Sequence, residues 1–138
     1  MDEKKEHQAL LEEWQERLGL HDWRITLNDN CHPDDMSMKN CVGCTDWTEA
    51  KKTARIDMLN PVHYGERIVP FDWECTLVHE LLHLKLSLLS NDESNLQDRY
   101  VHQIIDDLAR AFVDAKRSGV IKFESKDQPQ MFSRRENE

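Results

Sequence analysis

The chain of 138 residues lacks a long apolar run, an excess of basic residues and an apolar stretch near its first residue. Because no run of about 18 or more apolar residues occurs, no segment is expected to span a membrane. Lys and Arg number 18 against 27 Asp and Glu, a net charge of −9. General binding to nucleic acids or anionic membranes depends on basic residues, so this charge argues against it. The opening residues MDEKKEHQ contain no apolar core of a secretory signal, and we expect a cytoplasmic protein.

The length suits one domain with a single hydrophobic core. We assign residues 1–123 to that domain and residues 124–138 to a loose, charged tail. Charged residues make up 33% of the chain and apolar residues 38%, which predicts a well-solvated surface around the core.

Four cysteines occur, and in a reducing compartment they are expected to be thiols. Cys41 and Cys44 have the two-residue gap of a zinc knuckle or a redox motif. Cys31 and His32 would complete the four ligands of a structural zinc site. One such gap is weak support for a site of this kind, so we favour small, half-buried thiols in strands or a loop.

Apolar periodicity predicts an α+β fold with an N-terminal helix, a small sheet of about three strands and two further helices. The predicted elements are a helix over 3–18, strands over 23–27, 42–48 and 54–58, a helix from Asp72 as N-cap to about residue 89, and a helix to about residue 117. Residues 28–40 are predicted to be a polar loop and residues 90–94 a connector. Ser94 and Gln97 match a capping box at the start of the last helix, and Ile121 and Phe123 are expected to pack back after it.

The stretch TLVHELLHL, residues 76–84, places ionisable side chains in an otherwise apolar helix. His79 and His83 are four residues apart and therefore lie one turn apart on the same side of the helix, where both imidazoles can bind one zinc ion. Glu80 is rotated away from them and can reach a water molecule on the metal. Zinc makes such a water acidic near neutral pH, so Glu80 is predicted to be the general base and then the general acid of a hydrolysis.

A catalytic zinc site usually has three protein ligands, and the third is expected from the following helix. The candidates are Glu93, Asp98, His102, Asp106 and Asp107. We favour His102, which lies 19 residues after His83. Asp106, one turn later, is predicted either to orient a ligand imidazole or to bind the metal in place of His102.

His102 and Asp106 share a helical stripe with the apolar residues Ala109 and Val113. This stripe lies nearly opposite the main apolar arc of the helix, which comprises Tyr100, Val101, Ile104, Leu108, Ala111 and Phe112. We therefore expect the helix to lie between two layers, with small Ala109 allowing a close approach to the HExxH helix.

The motif, its uncharged flanks and the order of elements resemble the gluzincin-type zinc metallopeptidases, in particular small ones encoded by phages and prophages. The best matching segments are ECTLVHELLHL (74–84) and HQIIDDLARAF (102–112). The resemblance implies a minimal zincin-like fold, one catalytic zinc ion and a peptide or protein substrate. The family's third ligand is usually Glu, with an Asp four residues later that supports a histidine ligand. His102 stands in the position of that Glu, and Asp106 matches the Asp.

A histidine as third ligand is also similar to SprT-like proteases, which act on proteins attached to DNA, although the net charge of −9 argues against this subgroup. The family further implies an edge strand that pairs with an extended substrate, for which the strand Ala54–Met58 is the candidate. A group that stabilises the tetrahedral oxyanion is also implied. His63 and Tyr64 are the candidates for that role, and His32 is a weaker one.

Two other functions fit the same residues. One is a binding module without turnover, such as a phage protein that binds a host factor. In it, a fourth protein ligand, Cys75 or Asp106, would complete the coordination of zinc. The other is a helical interaction domain that binds no metal. Elemental analysis and the Glu80→Gln variant distinguish these hypotheses from the peptidase.

Overall fold

The computed structural model describes residues 2–87 and 96–119, with side chains from residue 99 onward in the second range. These residues form the helices α1 (Glu3–Arg17), α2 (Trp73–Lys85) and α3 (Leu96–Ser118) and the strands β1 (Arg24–Cys31), β2 (Gly43–Thr48) and β3 (Thr53–Leu59). Short 3-10 turns follow β1, β2 and β3. The predicted α+β class and the order of its elements are confirmed.

The sheet has the order β1-β3-β2, with β3 in the centre. β1 runs parallel to β3, and β2 runs antiparallel to it. The prediction that Ala54–Met58 is an edge strand is therefore wrong. Since β3 has a partner on each side, its backbone groups are already used in the sheet and cannot bind a substrate strand.

The central position of β3 agrees with its burial. Ile56 and Met58 are fully buried and face the helices, while Asp57 lies on the other face of the sheet at 2% exposure. Asn28 of β1 donates a side-chain hydrogen bond of 2.7 Å to the Asp57 carboxylate. This polar pairing helps extend β1 to Cys31, into the stretch that was predicted to be a loop from residue 28.

Helix α2 is the centre of the core. It packs against α1, the sheet and α3, and its side chains Leu77, Val78 and Leu81 are fully buried. Burial of each such side chain stabilises the fold by about 2 kcal/mol. The apolar character of the HExxH helix is explained by these contacts, because layers on several sides leave little of its surface to solvent.

The start of α2 is as predicted. Asp72 is its N-cap, and the Asp72 carboxylate accepts a hydrogen bond of 3.1 Å from the backbone N–H of Cys75. The predicted end of this helix near residue 89 is wrong, because α2 ends at Lys85 and Leu86 is its C-cap. The connector 90–94 and the side chains of the Ser94–Gln97 capping box lie outside the described part of the chain. So do Ile121, Phe123 and the tail 124–138.

The buried face of helix α3 is not the face that carries most of its apolar residues. Its fully or almost fully buried side chains are Ile105, Ala109 and Val113, which share a face with His102. The expectation that this helix lies between two layers is wrong for the opposite arc, because Tyr100 is 57% exposed and Ile104 51% exposed. Within the described residues, no helix combines the length and the apolarity needed to cross a bilayer.

An ion-pair cluster, which we call the clamp, joins the start of α2 to the end of α3 and to α1. Its members are Trp14, Asp72, Glu74, Lys116 and Arg117. Glu74 accepts hydrogen bonds from the Trp14 indole at 2.6 Å and from Lys116 at 2.5 Å. Arg117 binds both oxygens of Asp72, at 2.7 and 2.9 Å. The clamp holds α3 in place along α2.

Candidate metal centre

Three imidazoles from two helices meet at one point, and we call them the histidine cluster. His79 and His83 lie one turn apart on α2, with their Nε2 atoms 3.2 Å apart. His102 comes from α3, with its ring centroid 4.8 Å from that of His79 and 5.2 Å from that of His83. One nitrogen from each ring lies within 4.8 Å of the others, the one such grouping of possible metal ligands found among the described residues.

The spacing of His79 and His83 fits two ligands of one metal ion. Two ligands that each lie about 2.0–2.1 Å from a tetrahedral zinc ion are about 3.3 Å from each other. The Nε2 atoms of His79 and His83 are 3.2 Å apart, so one ion fits between them without a change of the helix. Three imidazole ligands would leave a fourth coordination position for water or substrate, as in catalytic zinc sites.

Asp106 orients one of these rings. Its carboxylate Oδ1 lies 2.7 Å from Nδ1 of His79, so Nδ1 donates its proton to Asp106. In a neutral imidazole the other nitrogen then carries the lone pair, and Nε2 of His79 is the atom that faces His83. This arrangement, in which a carboxylate fixes the tautomer of a ligand histidine, is frequent around metal ions in proteins.

His83 is held in its neutral form. Burial, together with the nearby imidazoles of His79 and His102, lowers the pKa of His83 to about 4, although Asp106 acts in the opposite direction. At pH 7 the His83 imidazole therefore carries a lone pair, and a metal ion does not compete with a proton for it.

The approach of α3 to α2 depends on a small residue. Ala109 is 1% exposed and lies between the two helices, and a larger side chain there would push them apart. His102 and Asp106 are four residues apart on α3 and thus reach α2 one turn apart. The sequence signal for the contact between α2 and α3 is that each helix carries an i, i+4 pair, His79 with His83 and His102 with Asp106.

The Glu80 side chain contacts β2 and lines the same cleft as the histidine cluster. Its side chain is 6% exposed, and its Oε1 accepts a hydrogen bond of 2.5 Å from the Thr45 hydroxyl. The Glu80 Oε2 atom lies 3.0 Å from the place where a side chain at Gly43 would begin. Sequence reasoning found neither Thr45 nor Gly43, since no local pattern indicates which strand faces the helix.

The histidine cluster and Glu80 lie in a cleft of about 620 Å³ between α2, α3 and β2. Part of its lining is apolar and comprises Met38, Trp47, Val69, Pro70 and Phe71, which we call the apolar rim. Met38 and Val69 are 53% and 61% exposed. The cleft is thus accessible to a ligand and offers apolar side chains to it.

Of the other predicted site residues, some line the cleft and others do not. Tyr64 lines it, and its hydroxyl donates a hydrogen bond of 2.6 Å to the Val69 carbonyl. His63 does not line the cleft and instead packs edge-on against His32, with ring centroids 4.7 Å apart. Asp107 is exposed. Glu93 and the side chain of Asp98 lie outside the described residues.

All four cysteines are described, and none forms a disulfide. Cys44 is buried with Met36 and Leu59 on the outer face of the sheet, and Cys31 and Cys41 pack against this group. Burial raises the pKa of the Cys31 thiol, which disfavours the thiolate that zinc binds.

Cys75 lines the cleft one turn before His79, and burial raises the pKa of its thiol. Its sulfur does not belong to the group of converging ligand atoms at the histidine cluster. A fourth protein ligand from Cys75, as the closed site of the binding module requires, is therefore not present in this arrangement.

No protein-family model matches this chain, and no match was found among curated proteins or solved structures. The resemblance to gluzincin-type metallopeptidases therefore stays a prediction that rests on the motif and on the geometry of the site.

Proposed function

We propose that this protein is a zinc-dependent peptidase. The observation that carries the proposal is the convergence of three imidazoles, from two turns of α2 and one turn of α3, within 4.8 Å. The buried carboxylate of Glu80 lies beside them in the same cleft.

In this proposal His79, His83 and His102 hold one zinc ion, and Asp106 keeps Nε2 of His79 available for it. Zinc, when bound there, supplies the Lewis acidity that makes water nucleophilic near neutral pH. The Glu80 carboxylate takes a proton from the attacking water and later gives it to the nitrogen of the leaving amine. The buried, apolar surroundings of α2 exclude bulk water and strengthen these electrostatic interactions.

The proposed substrate is a peptide or protein segment in an extended conformation. Within the described residues β2 pairs with β3 alone, and β2 also forms one wall of the cleft. A substrate strand can therefore pair with β2 beside Glu80, whereas β3 is not accessible for this purpose. The apolar rim favours apolar side chains next to the cleaved bond.

The gluzincin-like family and its phage-type members remain the proposed relatives, on the basis of the HExxH helix and the His102–Asp106 pair. A SprT-like protease is the less favoured subgroup because of the net charge of −9. The proposed location is the cytoplasm, where cysteines without disulfides are the norm.

The Glu80→Gln variant tests the proposal. Protein purified without a histidine tag is loaded with zinc and incubated with fluorescein-labelled casein. We expect about one zinc ion per chain in both proteins, and a loss of hydrolysis on the order of 1000-fold or more in the variant, since only the base is removed. Equal hydrolysis by the two proteins would exclude Glu80 as the base, and absence of zinc from both would exclude a zinc enzyme.

A further inference from the structure

We propose that strand β2 positions the Glu80 carboxylate through the Thr45 hydroxyl and the missing side chain of Gly43. This inference rests on the proposed function, because it assigns Thr45 as a positioning residue for the general base. Both residues lie against Glu80, so their proposed effect on hydrolysis passes through its carboxylate.

The first support is the hydrogen bond to Glu80. The Thr45 hydroxyl donates to Oε1 of Glu80 at 2.5 Å, and Glu80 is 6% exposed. A buried carboxylate accepts hydrogen bonds at both oxygens and has capacity for about four. The bond from Thr45 therefore engages Oε1 and restricts the rotation of the carboxylate.

The second support is the close approach at Gly43. A Cβ atom at this position would lie 3.0 Å from Oε2 of Glu80, 3.1 Å from its Cγ and 3.0 Å from Cγ2 of Thr76. Since Glu80 and Thr76 are one turn apart on α2, the backbone of β2 lies directly against this side of the helix. A side chain at Gly43 would have to displace Glu80 or the strand.

The third support is the register of β2. Gly43 and Thr45 are two residues apart and thus share the face of the strand that lines the cleft. Gly43 pairs with Met58 and Thr45 pairs with Ile56, and both partners are fully buried. Pairing with the buried strand β3 therefore fixes the position of β2 along the sheet. As a result, the Thr45 hydroxyl and the backbone of Gly43 both lie next to Glu80. A shift by one residue would bring Cys44 to this position instead.

Enzymes that use a side chain as a base often orient that base with a third group. Misplacement of a reacting group by about 1 Å can reduce turnover about 100-fold. The expected role of Thr45 is therefore a contribution to kcat, with little effect on zinc content or on KM.

The test compares Thr45→Val, which removes the hydroxyl at nearly constant shape, with Thr45→Ser, which keeps it. The control is Thr48→Val, the same change at an exposed residue of the same strand. With zinc-loaded protein and labelled casein, we expect kcat to fall about 10- to 100-fold in Thr45→Val. We expect KM and zinc content to change less than about twofold, and Thr45→Ser and Thr48→Val to keep at least about a third of wild-type kcat. Full activity of Thr45→Val, or an equal loss in Thr45→Ser, would overturn the inference.

Crystal structures of the zinc-loaded wild type and of Thr45→Val give a readout that does not need a substrate. We expect the Glu80 carboxylate to leave its position or to occupy two rotamers in the variant, and an unchanged carboxylate would overturn the inference. If the wild type binds zinc but cleaves nothing, the proposed function fails, and these structures still decide whether Thr45 positions Glu80.

Discussion

The two ends of helix α2 carry ionisable groups that are arranged differently: acids paired with bases at its start, and converging histidines toward its end. At its start, the clamp pairs the acids Asp72 and Glu74 with Lys116 and Arg117 of α3. Toward its end, His79 and His83 meet a third imidazole, and Asp106, an acid that bonds to His79, is 65% exposed. The clamp pairs acids with bases, whereas the histidine cluster brings together three side chains that could hold a metal ion.

Along this one helix, the clamp contributes to stability, and the histidine cluster is the candidate functional site. The acids of the clamp lie at the positive N-terminal end of α2, and its bases lie in the last turn of α3, so both match the helix dipoles. In the histidine cluster, by contrast, burial and the neighbouring histidines lower the pKa of His83 to about 4. We infer that the clamp holds the two helices together so that the cluster can stay assembled before a metal binds.

The largest effect is expected from His102→Ala, which removes a ligand but leaves the clamp intact. Zinc affinity should fall on the order of 1000-fold, because the ion loses one of three protein ligands. Competition with a chromophoric chelator measures this change. His63→Ala, outside the cleft, is the matched control and should bind zinc like the wild type. Similar affinities in the two variants would show that His102 is not a ligand.

Glu74→Gln should lower the stability of the fold and leave zinc affinity almost unchanged. The substitution leaves Lys116 and Arg117 without the full charge of their partner and weakens the hydrogen bond from Trp14, so the free energy of unfolding should fall by about 3 kcal/mol. Urea unfolding of the metal-free protein measures it. The exposed Glu16 provides a control, since Glu16→Gln should change stability by less than about 0.5 kcal/mol.

Zinc affinity of Glu74→Gln should stay within about threefold of the wild type, as long as the protein is folded. A large loss of affinity in this variant would mean that the clamp also shapes the metal site, and the two ends of α2 would then not be independent.

Asp106→Asn should have a smaller effect at the histidine cluster. The amide keeps the shape of the carboxylate but not its charge, so it holds the tautomer of His79 less firmly. Loss of such a supporting group typically weakens metal binding about 10- to 100-fold. The same chelator competition measures it, with the neighbouring exposed residue as control in Asp107→Asn. An unchanged affinity in Asp106→Asn would indicate that the contact with His79 is incidental.

The smallest effect concerns the pH dependence of the clamp. The hydrogen bond from Arg117 lowers the pKa of Asp72 below its ordinary value of 3.8. Burial raises the pKa of Glu74, but hydrogen bonds from Lys116 and Trp14 outweigh it and leave this pKa below 4.5. Since both folded-state values are depressed, their contribution to stability is present above these pH values and is lost as the pH falls below them.

Urea unfolding of the metal-free protein at pH 5 and pH 3 tests this sign. We expect the wild type to lose about 1 kcal/mol more than Asp72→Asn between the two conditions. His83 is present in both proteins, so its own titration cancels in the comparison. A steeper loss in Asp72→Asn would contradict the assignment of this pH dependence to the clamp.

Sequence reasoning succeeded where the pattern is local. The i, i+4 spacing of His79 and His83 places both on one side of α2 in any helix, and Asp72 before the apolar run correctly predicted the helix start. The His102–Asp106 pair was found by the same periodicity, although the most apolar arc of α3 suggested a different buried face. Ala109 and Val113 on the histidine face were the better guide, because a buried face next to another helix needs small or branched side chains rather than many apolar ones.

By itself, the sequence determined the elements, the two histidines of α2 and the i, i+4 match between α2 and α3, since hydrogen bonding along a helix sets these positions within a few residues. Only the tertiary structure decided that β3 is central, that β2 faces the cleft, and that Thr45 and Gly43 meet Glu80. Strand order and helix-to-strand contacts depend on residues far apart in the chain, whose approach is set by packing of the whole core rather than by any local preference.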